Sequence, residues 1–174
     1  MSFADIERPH TPKTAGERET LSGFLDHYRA TLAMKCAALT PEQLARRAVE
    51  PSSLSLLGLV RHMGEVERGW FRSFAGESSS PRFYSEDNPD GDFDDAIATQ
   101  QCVDEAFEYW QAEIAHAREV AATGELDGTF ERRRDGRAQP ISLRWILVHM
   151  IEEYARHCGH ADLLRERIDG ATGD

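Results

Sequence analysis

The stretch Ser142 to Gly170, SLRWILVHMIEEYARHCGHADLLRERIDG, is the longest uninterrupted helical pattern in the chain and constrains its fold most. Ser142, with Pro140 just before it, reads as an N-cap, and Gly170 as a stop. At about 100° per residue, Leu143, Ile146, Met150, Tyr154, Ala161, Leu164 and Ile168 gather on one side. Arg144, Glu152, Arg156, Asp162 and Glu166 fall away from it. A helix of this kind must bury its stripe against other helices.

Polar residues share that apolar side. Glu153 and His157 are four residues apart and stack one turn above the other, His157 near the centre of the arc. His149 and His160 fall at or just beyond its edge. A buried carboxylate is costly unless it is paired or bound to a cation. The pair is spaced to share one metal ion. In the plainer reading, Glu153 and His157 hydrogen-bond each other, or Arg156 and Tyr154.

The rest of the chain supplies three more long helices. Residues 1–13, with Pro9 and Pro12, read as an extended arm. Thr14-Ala-Gly-Glu17 has capping-box spacing and opens a helix to about Leu39, with Leu21, Phe24, Leu25, Tyr28, Leu32 and Cys36 as its stripe. Thr40-Pro41-Glu42 caps a short turn. The second long helix runs from Ser53 or Ser55 to near Gly76 on Leu56, Leu59, Met63, Val66, Trp70 and Phe74. His62 lies at the margin of this stripe, beside Gly58 and Gly69, with Glu65 nearly one turn on. After a polar loop over 77–91, Asp92-Phe-Asp-Asp95 reads as the start of the third helix, which runs to about Gly124. Ile97, Val103, Phe107, Trp110 and Ile114 are its expected buried side, and His116 is expected to be exposed. Asp135-Gly136, between GTFERRR and RAQPIS, reads as the tight turn of a short β-hairpin. Arg132, Arg133, Arg134 and Arg137 cluster there, either solvated or placed to receive an anionic substrate.

Four long helices in 174 residues predict an all-α chain, one four-helix-bundle domain over 1–174 with a short β-hairpin before the last helix. Bundle metal sites are built from facing helices. His62 from the second helix therefore joins Glu153 and His157 from the fourth as the candidate ligand set. The net charge of −11 argues against nucleic acid or an anionic membrane as partner. No apolar run reaches the roughly 18 residues of a membrane span, and the polar N-terminus lacks a signal-peptide core. Three widely spaced cysteines, Cys36, Cys102 and Cys158, suit free thiols in a reducing cytoplasm.

The order of helices, the helix-two histidine in LGLVRHMGEVERGW and the fourth-helix motif ISLRWILVHMIEEYARHCGHADLLRERIDG together resemble the DinB/YfiT-like superfamily. The closest likeness is to its actinobacterial branch, once described as mini-circle proteins, and it covers roughly Pro9 to Gly170. The resemblance implies a divalent metal, zinc most often and nickel in some members, held by a helix-two histidine and a last-helix pair four residues apart. Many members have His-x-x-x-His there. Glu153 in the first position is similar to the His/Glu/His set of mycothiol-dependent maleylpyruvate isomerase. His157-Cys158-Gly159-His160 replaces the commoner His-Arg-Gly-Gln. That departure brings His160 into consideration beside the site, together with Glu65, His149 and Arg156. Relatives use mycothiol or bacillithiol and are often dimers, so a homodimer is compatible.

Two neutral imidazoles and one carboxylate leave a net +1 on a divalent ion and an open coordination position, the arrangement of catalytic zinc. A thiol reaching it would be deprotonated, and the thiolate is the nucleophile. The expected function is a metal-dependent S-transferase that aims a low-molecular-weight thiol, mycothiol, at an electrophile such as a halide, an epoxide or an activated alkene. The alternatives are a metal-dependent hydrolase, with Glu65 or His160 as base, and a non-enzymatic metal-binding stress protein.

Overall fold

The computed structural model describes residues 7–134 and 136–173. In chain order the elements are α1 (Glu17–Cys36), α2 (Pro41–Ala45), α3 (Leu56–Phe74), α4 (Gly91–Asp94), α5 (Gln100–Thr123), β1 (Thr129–Arg134), β2 (Arg137–Ser142) and α6 (Leu143–Asp169). The four long helices form the bundle. α1 lies chiefly against α6, α3 against α5, and α3 also packs on α6.

The caps explain most of the boundaries. Ser142 Oγ accepts from the Trp145 amide, and Gly170 ends α6 in the left-handed region at φ 77°. Thr40 and Gln43 cap α2 reciprocally. Ser55 Oγ accepts from the Gly58 amide at the start of α3. The hairpin strands pair antiparallel from Thr129 with Ser142 to Arg134 with Arg137. The expected Asp135-Gly136 turn falls partly outside the described residues, as do residues 1–6 of the expected arm and the Arg134 side chain.

Four expectations are corrected. Thr14 does not cap α1: the N-cap is Gly16, and no side chain serves there. Asp92 to Asp95 do not open the third long helix. They form the separate turn α4, and α5 begins at Gln100 behind Thr99, whose Oγ1 accepts from the Cys102 amide. Ile97, in the link between these elements, is 59% exposed, whereas Val103, Phe107, Trp110 and Ile114 are buried as expected. His116 is half-buried, its Nε2 3.8 Å from Glu77.

A buried polar chain crosses the bundle and touches all four long helices. Arg29 of α1 donates through Nε and Nη2 to the two oxygens of Glu67 on α3, at 2.8 and 2.7 Å. Tyr154 of α6 donates to the same carboxylate at 2.8 Å, and Trp110 of α5 donates its indole N–H to the Tyr154 oxygen at 2.8 Å. Burial alone would ease the proton off Arg29, but the Glu67 carboxylate against it holds its pKa above the ordinary value. Every member thus finds a partner, which makes a charge tolerable at the centre of a bundle.

Candidate metal centre

His62 leaves α3 toward α6 at the end of the bundle where α4 sits. Gly58, one turn earlier, lets α4 approach: a Cβ there would lie 2.6 Å from the Phe93 ring. The buried Arg61 then holds α4 by its backbone, donating from Nε to Asp92 O at 2.8 Å and from Nη2 to Gly91 O at 2.9 Å. As a result the buried Asp92 carboxylate lies 2.8 Å from His62 Nδ1. An ionised carboxylate only accepts, so the proton of this contact sits on Nδ1, and Nε2 is the nitrogen left for a metal.

Glu153 and His157 face His62 from α6, one turn apart. One ligand atom from each of His62, Glu153 and His157 lies within 4.8 Å of the other two. The His62 and His157 ring centroids are 4.9 Å apart. Periodicity put Glu153 and His157 on one face, the expectation of facing helices added His62, and the structure brings the three together.

The contact between Glu153 and His157 is not an ion pair. Their closest atoms are 3.5 Å apart, well beyond a charge-assisted hydrogen bond. Burial, with the neighbouring charges of His62, His160 and Arg156, lowers His157 to about 3, so its imidazole is neutral at pH 7. A half-buried carboxylate facing the neutral His157 imidazole draws no counter-charge from it, and a divalent cation would supply one. The side chains of His62, Glu153 and His157 therefore suit a metal with mixed nitrogen and oxygen ligands.

The flanking candidates divide. His160 Nδ1 lies 3.3 Å from His157 Nδ1, which leaves His157 Nε2 toward Glu153. His149 Nε2 lies 3.4 Å from the other Glu153 oxygen, and its ring stacks on Trp145, centroids 4.7 Å apart. Arg156 is exposed. Glu65 is buried and accepts from the Arg82 and Phe83 amides at 2.7 and 2.6 Å and from Tyr109 at 3.1 Å, fixing the loop that follows α3. Asp92 had escaped the sequence reading. Its only signal there was a DFD acid cluster, which looked like a helix start.

A hollow of about 300 Å³ adjoins the triad, with His62, Trp70, Tyr84 and Phe93 in its walls. Larger grooves of about 630 Å³ run beside α1, but no triad residue lines them.

Residues 20–170 match the sequence model of the family described as mycothiol-S-transferase. The chain belongs to the mycothiol-S-transferase family. Its fold is shared with a solved structure, the conserved protein of locus from Enterococcus faecalis, at a TM-score of 0.60 and 15% identity over 89% of this chain and 96% of that one. No curated protein matches the chain. The match agrees with the DinB-like resemblance and with a metal-dependent, mycothiol-using type of enzyme. No helix among the described residues of this family member is long and apolar enough to cross a membrane.

Proposed function

We propose that this protein is a metal-dependent S-transferase that joins mycothiol to an electrophile, with His62, Glu153 and His157 as the metal ligands and zinc as the expected metal. The observation that carries this reading is the three-residue cluster between two helices distant in sequence, with Asp92 on the far nitrogen of His62. When bound, the ion supplies a Lewis acid that lowers the pKa of an incoming thiol to the point where it is thiolate at neutral pH.

The remaining work falls to the chain. Asp92 fixes the tautomer and ring plane of His62. His160, 3.3 Å from His157 Nδ1, orients that ring, and His149 steadies Glu153. The neutral state of His157 keeps a proton from competing for its lone pair. The protein's own thiols are poor nucleophiles: burial pushes Cys36 and Cys158 up to about 12, and Cys158 Sγ lies 3.6 Å from the Tyr28 carbonyl oxygen. Against the hydrolase alternative, Glu65 already accepts three hydrogen bonds.

The test is conjugation of mycothiol to a generic electrophile. Chelation should abolish it and added Zn²⁺ should restore it, while Cys158→Ala should remain active. Turnover without thiol would favour the hydrolase. Loss of activity in Cys158→Ala with metal still bound would replace the external thiol by a protein thiol.

A further inference from the structure

The outward face of α6 carries apolar residues that the bundle does not bury. Trp145, Val148 and Leu163 are 45%, 53% and 57% exposed, three of the five large hydrophobic side chains exposed among the described residues. Single exposed apolar residues are ordinary on a protein surface. These three are not scattered. On a helix of about 100° per residue, Trp145 and Leu163 point the same way, opposite the buried Tyr154, and Val148 stands about 60° to one side.

Between the apolar ends lie Glu152 and Arg156, both exposed and within about 20° of the same line. They are four residues apart, a spacing at which an acid and a base on one helix can pair. They do not pair here. Glu152 lies 3.5 Å from His149 Nδ1, and Arg156 has no ion-pair or hydrogen-bond partner among the described residues. Gly159 belongs to the same strip, and a Cβ there would meet no atom within 4 Å. The strip is symmetric about Tyr154: Glu152 and Arg156 lie two residues to either side of it, Trp145 and Leu163 nine residues. A second α6 laid antiparallel across this face, on a two-fold axis level with Tyr154, therefore brings opposite charges together in the middle and apolar groups together at the ends.

We infer that the outer face of α6 docks on the same face of a second copy of this chain, with the two helices antiparallel. Glu152 of each copy meets Arg156 of the other, so a single isologous contact makes both opposite-charge pairs. Trp145 comes level with Leu163 of the second copy. Val148 comes close to Gly159 of the second copy, which has no side chain to hold the helices apart. At about 1.5 Å per residue, the seam from Trp145 to Leu163 is roughly 27 Å long. One helix face of that length makes a small interface, so the dimer is of the weak, concentration-dependent kind. His149 and His160, which adjoin the triad, stand along one flank of the seam, so the second copy lies beside the metal centre. The contact does not depend on the S-transferase reading.

Sedimentation equilibrium of the full chain over a range of concentrations tests this. The wild type should dimerise reversibly, and added salt should weaken the dimer. Glu152→Arg and Arg156→Glu should each raise the dissociation constant about tenfold or more, because two like-charge pairs replace two opposite ones. An equimolar mixture of these two variants should recover association to about the wild-type level, since both contacts of the mixed pair again join opposite charges. Both variants stay strongly net negative, starting from −11, so overall charge does not draw them together. Leu163→Ser, at an exposed position, should raise the dissociation constant about tenfold without touching the charges. A wild type that is monomeric at every concentration overturns the docking, and so does a dimer that none of the three substitutions weakens. A mixture that associates no more tightly than the separate variants, both with wild-type helix content by circular dichroism, overturns the antiparallel register.

Discussion

Asp92 and His62 show how much of a site can rest on a side chain that would never touch the metal. The carboxylate is buried, 2.8 Å from His62 Nδ1, and reaches that position because Arg61 grips the backbone around it. Outer-shell partners of this kind are worth roughly 10–100-fold in metal affinity. Asp92→Ala should therefore weaken metal binding by that order while leaving helix content unchanged, as read by chelator competition and circular dichroism. His157→Ala should abolish binding, and His149→Ala should leave most of it. The reverse order would shift the site one turn toward the start of α6. His62, Glu153 and His157 were legible in the sequence because helical periodicity fixes which residues share a face. Asp92 was not, because the path of the loop after α3 is set by Glu65 and Arg61 gripping its backbone, which leaves no period to read.

At the scale of elements, caps decide where helices begin, and a sequence offers more caps than it uses. Thr14 and Thr99 both precede plausible helices, but only Thr99 accepts a backbone amide. Thr99→Ala should cost about 1 kcal/mol of stability and Thr14→Ala close to nothing, a contrast that denaturant titration resolves. The same competition explains the misplaced start of α5. An acidic cluster at Asp92 to Asp95 suits a first helical turn, but the exposed Ile97 breaks the apolar period there, and burial resumes only at Cys102 and Val103. α6 raised no such ambiguity, since its Ser142 and Gly170 caps and its long stripe agree with one another.

At the scale of the molecule, the Arg29–Glu67–Tyr154–Trp110 chain fixes how the four long helices meet. Glu67→Leu would strand Arg29 in the core and should cost about 3–5 kcal/mol, eased by the 2.9 Å contact of Arg29 with Asp26. Tyr154→Phe removes one donor from Glu67 and the acceptor of Trp110, for about 1–3 kcal/mol. Tyr154 neighbours Glu153 but points into the core, so Tyr154→Phe should lower the thermal midpoint without changing metal stoichiometry. The triad joins α3 to α6, two helices far apart in sequence. The cluster therefore exists only once these two helices have docked: a chain with α3 formed and α6 still apart brings His62 near neither Glu153 nor His157, so the candidate centre is itself a report on the closed bundle.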